Sequence, residues 1–297
     1  MSKSLKTGIF LAILAAVLYA INSPFSKLLL NYMPPTLMAG FLYVGAGLGM
    51  GVIALIRKAK SKGKNKSENI SSGESKLTKE ELPFVLGMIL LDIVAPICLL
   101  IGLNSTTAAN ASLLNNFEIV ATAIIALFIF KEKISKRLWL GILFVTISCA
   151  VLSFEDLSSL QFSFGSLFIL LACICWGFEN NCTRKISSKD PLQIVLLKGI
   201  FSGGSSVVIG FCIGEQITAL WVIFAVLGVG FVAYGLSIFF YVYAQRSLGA
   251  ARTSAYYAVS PFIGSLLSLA IFREFPPLTF FLALMLMAVG AWLCSKE

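Results

Sequence analysis

The chain of 297 residues contains no histidine. That absence removes histidine metal ligands, histidine general bases and imidazole proton relays. Charge is also scarce. Asp, Glu, Lys and Arg make up 12% of the residues, against about 25% in a soluble domain, too few to coat a surface facing water. The seven cysteines show no CxxC spacing and fall almost wholly inside apolar runs, where they read as small apolar filler. The sequence has no nucleophile–base pair, metal-ligand cluster or Walker loop. A soluble enzyme, a disordered chain and a disulfide-stapled secreted domain are excluded. No catalytic residue, metal or cofactor is expected.

What is abundant is apolar. Hydrophobic residues make up 58% of the chain, and the mean hydropathy is +0.91. These values predict an all-α membrane protein, because only helices and closed barrels satisfy their own backbone in lipid. Ten apolar stretches are each about long enough to cross roughly 30 Å of hydrocarbon: 7–30, 35–56, 82–103, 105–130, 137–153, 163–184, 191–213, 218–244, 248–272 and 275–294. The first follows Lys3 and Lys6 as a signal peptide would, but no small-residue cleavage site ends it, so it reads as a retained helix. Pro24 predicts a kink after Ser23.

The net charge of +9 is a topology signal. With ten spans, twenty of the 23 basic residues fall on the side that holds both termini. Lys27 and Arg273 fall on the other side, and Lys198 within a span. The inside-positive rule then places both termini in the cytoplasm of a plasma-membrane, multi-pass protein. The polar 57–81 segment, KGKNKSENISSGESK at its centre, reads as a solvated basic loop able to touch anionic headgroups.

The chain repeats itself. Shifted by 142 residues, STTAANASLLNNFEIVATAIIALFIFKE (105–132) falls on SLGAARTSAYYAVSPFIGSLLSLAIFRE (247–274) with eight of 28 positions identical. A shift of 157 matches the first span to the sixth, pairing Gly8 with Gly165, Tyr19 with Trp176 and Lys27 with Arg184. Five spans per half is an odd number, so the second half enters the membrane upside down. The expected architecture is a 5+5 inverted-topology repeat, residues 1–153 and 154–297, with a binding site at the repeat interface near the midplane.

YAINSPFSK (19–27) and its mate WGFENNCTRK (176–185), with the FKE (130–132) and FRE (272–274) endings, carry a resemblance. The chain resembles the drug/metabolite transporter superfamily, in its ten-helix EamA-type branch, over nearly its whole length. The resemblance implies movement of small metabolites, amino acids or drugs across the membrane, often outward.

Polar residues inside apolar spans mark the candidate site. A carboxylate at mid-span costs about 2.5–3.5 kcal/mol on insertion scales, and the short side chains of Asp92 and Glu118 cannot reach the headgroups. On the fourth span Ala111, Asn115, Glu118 and Thr122 share a helical face. Its repeat mate presents Thr253, Tyr257, Ser260 and Gly264, while Asp92 falls on Tyr234. These faces are expected to line a central pocket; the alternative for Asp92 and Glu118 is a buried interhelical hydrogen bond. A pocket role is substrate ammonium binding or proton coupling. Glu179 and Lys198 have matched depth and opposite charge, which predicts an ion pair, the alternative being a snorkelling Lys198. Asn22, Asn180, Asn181 and the Pro24 kink are candidates for binding or gating, the alternative being structural hydrogen bonds. Gly45, Gly47, Gly49 and Gly51, with Gly199, Gly203 and Gly204, predict close helix contacts. Trp139, Trp176, Trp221 and Trp292 suit interfacial positions.

The expected function is secondary transport of small metabolites, with export of amino acids or related amines first and a proton-coupled multidrug exporter second. Expected partners are a small-molecule substrate, the lipid bilayer and protons, and no nucleic acid. A channel or scramblase and a membrane-embedded enzyme are the other classes considered.

Overall fold

A computed structural model describes residues 3–61, 79–131, 135–156, 161–186, 189–248, 253 and 256–295. Among the described residues there are ten helical rods. They are α1 (Lys3–Ala20, resumed as Asn22–Leu29), α2 (Pro35–Ser61), α3 (Leu82–Asn104), α4 (Ala108–Leu114, resumed as Phe117–Phe130) and α5 (Lys136–Ser153). The second half holds α6 (Phe164–Lys185), α7 (Pro191–Leu197 to Gly204–Cys212), α8 (Leu220–Gly230 to Ser237–Leu248), α9 (Ser260–Phe272) and α10 (Leu278–Ser295). A small antiparallel hairpin, β1 (Phe154–Asp156) and β2 (Gln161–Phe162), joins α5 to α6.

Several helix starts are legible locally. Thr107, Ser135, Ser163 and Asp190 each accept a backbone N–H of the first turn through the side chain, the usual N-cap arrangement. Pro191 follows Asp190 at the first helical position, where its missing N–H costs nothing. Eight of the rods are long and apolar enough to cross a bilayer, and α9 and α10 are shorter apolar helices. Residues 249–252 and 254–255, in the expected ninth span, lie outside the described residues. The second helix continues to Ser61, so the basic loop starts later than expected, and its centre, 62–78, also lies outside the described residues.

The packing has a twofold pattern. Helix α3 packs on α6 as α8 packs on α1, and α4 packs on α6 as α9 packs on α1. The pairs α2–α7, α4–α9 and α5–α10 map onto themselves. The backbone follows the same register: Lys131 and Arg273, 142 residues apart, end α4 and α9 in the left-handed conformation with φ of 55° and 54°. Five rods per half reverse the direction of the second half, giving the inverted-topology repeat.

Outward surfaces carry Leu48, Phe128, Phe224 and Leu266, all exposed. Such apolar patches suit lipid, not water. At the α2–α7 crossing small residues let the backbones touch. A Cβ on Gly47 would lie 2.9 Å from the Gly199 Cα, and one on Gly203 would lie 2.7 Å from the Val44 N. Gly204 differs from the expectation, since its side faces open space.

Candidate functional site

Five helices are irregular where the polar residues sit. In α1 the break falls at Ile21, not after Ser23. Pro24 has no N–H for the Ala20 carbonyl one turn earlier, and its ring crowds that oxygen, so the helix opens a turn ahead of the proline. The Ala20 carbonyl then lies against Gly264 of α9, where a Cβ would be 3.0 Å away. Helix α4 breaks at Asn115–Asn116 and restarts at Phe117, which puts Glu118 in the first turn of the new segment. In α9 the turn after Tyr257 holds the equivalent place. Helices α7 and α8 each widen into a π-helical stretch, Lys198–Gly203 and Phe231–Leu236. Such bulges recur at functional sites because they turn a side chain out of helical register. One begins with Lys198; the other contains Tyr234.

These irregularities surround a cavity of about 90 Å³ between the halves. Its charged lining is Asp92, Glu118, Glu179 and Lys198. The Lys198 Nζ stands 2.7 Å from the Glu179 Oε1 and 2.9 Å from the Asp92 Oδ2, and all three side chains are almost fully buried. The matched-depth pair is therefore present, and Asp92 joins it; Lys198 does not snorkel. The Tyr43 hydroxyl donates to the Asp92 Oδ1 over 2.8 Å, and the Thr183 hydroxyl donates to the Glu179 Oε1. Each carboxylate thus gains a hydroxyl as well as a share of the ammonium, which offsets burial of the charge.

Glu118 is held differently. Its Oε1 accepts from the Asn180 Nδ2 over 2.6 Å, and that amide also lies 3.4 Å from the Thr122 Oγ1. Among the described residues no cation pairs with Glu118. Aromatic side chains fill the remaining wall. Tyr43, Tyr234, Tyr19, Tyr257 and Tyr241 form a continuous belt with successive ring centroids 5.0, 5.8, 5.7 and 4.9 Å apart. Trp176 completes the wall. Trp176 thus departs from the interfacial expectation: it is buried, whereas Trp139, Trp221 and Trp292 are exposed on the outer surface.

Of the sequence-derived residues, the cavity brings together Asp92, Glu118, Tyr234, Tyr257, Glu179 and Lys198. It does not include Asn115, Thr122, Ser260, Asn22 or Pro24 in its lining. The breaks in α4 and α9 explain much of this, because a helical stripe does not continue through a turn. Asn115 is buried, with its oxygens within 4.0 Å of the Cys173 Sγ. Ser112 packs against Gly264. The Ser265 hydroxyl donates to the Ala109 carbonyl, tying α9 to α4. Asn181 donates to the Thr122 and Gly177 carbonyls and so ties α6 to α4. Asn22 donates to the Tyr234 hydroxyl over 3.0 Å and accepts from Ser26. Under the two repeat shifts this contact corresponds to Glu179 with Asp92, so one side of the site is neutral where the other is ionic. Tyr19, Tyr43 and Tyr241 also line the cavity and carry no charge that marks them within an apolar span. Tyr19 was visible as the mate of Trp176; Tyr43 and Tyr241 carry no local signal.

The cavity is asymmetric along the membrane axis. Thr183, Lys198, Tyr241 and Val242 lie in the halves of α6, α7 and α8 nearest the face where the chain begins and ends. Contacts bridge the halves at both faces. On the terminal face the Lys189 Nζ lies 2.6 Å from the Glu81 Oε1, and the Arg57 guanidinium donates to the Tyr243 hydroxyl over 3.1 Å. The opposite face carries a latch. There the Lys27 Nζ donates to the Leu103 and Asn104 carbonyls at the end of α3. The Glu215 carboxylate accepts the Thr36 and Leu37 N–H groups at the start of α2, at 3.2 and 2.7 Å. The Thr218 hydroxyl donates to the Tyr32 carbonyl over 2.6 Å.

Comparison with known proteins agrees with this architecture. The EamA-like transporter family matches twice, over residues 6–154 and 163–296. An uncharacterized transporter of Methanothermobacter thermautotrophicus is 25% identical over 276 residues, covering 90% of this chain and 80% of that protein. A solved structure described as "Crystal structure of protein" superposes with a TM-score of 0.66 at 14% identity, covering 98% of this chain and 95% of the other; at that identity the likeness is one of fold. With both halves matched and nearly the whole chain covered, the protein belongs to the EamA-like transporter family, within the drug/metabolite transporter superfamily.

Proposed function

We propose that the protein is a secondary transporter that exports small metabolites such as amino acids or amines by alternating access around the central cavity. The single observation that carries this reading is a polar, charged cavity at the interface of two inverted halves. Residues 1–153 and 154–297 act as the two moving units. The basic loops favour a cytoplasmic position for both termini in a plasma membrane, so the cavity is loaded from inside. Asp92, Glu118, Tyr234 and Tyr257 serve as substrate contacts, supported by Asn115, Thr122 and Ser260 on the adjoining α4 and α9 segments. Glu179, Lys198, Asn22 and Pro24 belong to the moving gate. No ATP-binding motif is present, so uphill movement draws on an ion gradient or on the gradient of the substrate.

A proton-coupled multidrug exporter is the second reading, favoured by three carboxylates in one aromatic cavity. A channel or scramblase is disfavoured by the latch. The test is flux into proteoliposomes. Saturable uptake that shows counterflow supports a carrier; linear flux without saturation contradicts it. Uptake that follows an imposed pH gradient selects the second reading.

A further inference from the structure

We propose that the cavity binds a monovalent organic cation, an amine or quaternary ammonium carrying no carboxylate, with its charged head against Glu118 inside the tyrosine belt. This rests on the carrier reading above and narrows its substrate from amino acids and amines to cations.

Three observations lead here. Glu118 lines the cavity, partly buried, with the neutral Asn180 amide as its hydrogen-bond partner, and a carboxylate so placed with no cation paired to it among the described residues attracts one. Lys198, the one basic residue of the lining, is already shared between Asp92 and Glu179 at 2.9 and 2.7 Å. It has no charge to spare for the carboxylate of an amino acid. The hydroxyls of Tyr43, Tyr234 and Tyr257 are also engaged, with Asp92, Asn22 and Ser237. What these three tyrosines leave for a ligand is ring surface. Tyrosine rings packed edge-on or tilted against one another beside a carboxylate attract an ammonium head through the ring quadrupole. A zwitterion meets the same attraction but brings its own carboxylate beside three acidic side chains, with no cation of the lining left to pair with it.

Choline and glycine betaine form a matched probe pair, sharing the trimethylammonium head and differing by the carboxylate. Phenethylamine and phenylalanine form a second. Binding of each to the detergent-purified full chain is followed by isothermal titration, and counterflow of each is followed in proteoliposomes. The proposal expects at least one cation to bind about tenfold more tightly than its zwitterionic mate, the discrimination of roughly one unpaired buried charge-assisted hydrogen bond. Glu118→Gln should remove most of that preference. Tyr19→Leu should weaken cation binding while Tyr19→Phe retains it, which separates ring-face attraction from a structural role. The probe pairs test the wild type alone, so a variant that fails to fold leaves the comparison intact. Equal or tighter binding of the zwitterions, binding of none of the four, or a cation preference unchanged in Glu118→Gln overturns the proposal. Saturable counterflow of a zwitterion without cation binding overturns it while the carrier reading stands. Linear flux of all four overturns the carrier reading and this proposal together.

Discussion

Replacing Lys198 by methionine gives the sharpest test of the buried charge cluster. Methionine keeps the length and apolar stem of the lysine and removes its ammonium. Two contacts are lost, at 2.7 and 2.9 Å. At an effective dielectric of ~20 each is worth about 6 kcal/mol of Coulomb attraction. Desolvation and the mutual repulsion of Asp92 and Glu179 offset most of that sum. Removing one partner from a buried ionic group is destabilising by about 3–5 kcal/mol, because the remaining charges are stranded. For a chain of this size that corresponds to a fall in melting temperature on the order of 10 °C. The assay is the thermal loss of the monodisperse peak of detergent-solubilised protein. The triple variant Lys198→Met, Asp92→Asn, Glu179→Gln removes all three charges and should regain at least half of the loss. A single variant that melts within about 2 °C of wild type, or a triple variant no better than the single one, would refute the reasoning.

Other consequences follow from the same geometry. Gly47→Leu places a side chain where the Gly199 backbone lies within 3 Å of a Cβ; it should lower the melting temperature by several degrees and abolish counterflow, whereas Gly204→Ala, facing open space, should leave both unchanged. Glu215→Ala removes the carboxylate that caps α2 and should cost about 1 kcal/mol, as helix caps do, read as a drop of a few degrees in the same melt. Asn180→Ala removes the hydrogen-bond partner of Glu118. It should change the dissociation constant of a bound cation by several-fold, measured by titration, with little effect on Lys198→Met stability, since the two clusters share no hydrogen bond among the described residues.

Much of this fold was legible in the sequence because its causes are long-range and repetitive. The spans follow from hydropathy, and the halves follow from two gapless registers, one of which ends at equivalent left-handed caps, Lys131 and Arg273. The charged residues of the site were legible because a carboxylate at mid-span has few explanations. Helical periodicity failed where the helix itself fails. The stripe from Ala111 to Thr122 assumes an unbroken α4, and the turn at Asn115–Asn116 leaves Asn115 packed against Cys173 of α6 instead of lining the cavity. The π-helical stretches at Lys198 and Tyr234 left no pattern in the residue types. Tyrosine is ordinary in a membrane helix, so the five-ring belt emerges only when α1, α2, α8 and the turn before α9 come together.

The central claim is that one cavity is offered to the two faces in turn, and accessibility of a single cysteine tests it most directly. Ile238 lines the cavity. In a background free of native cysteines, Ile238→Cys is treated with a membrane-impermeant maleimide from either face of oriented vesicles, with the opposite latch intact and with it broken by Glu215→Gln and Thr218→Ala. The account predicts labelling from the terminal face alone when the latch is intact, and new labelling from the opposite face when it is broken. Labelling from both faces with the latch intact, or no gain of opposite-face labelling on breaking it, would contradict the account.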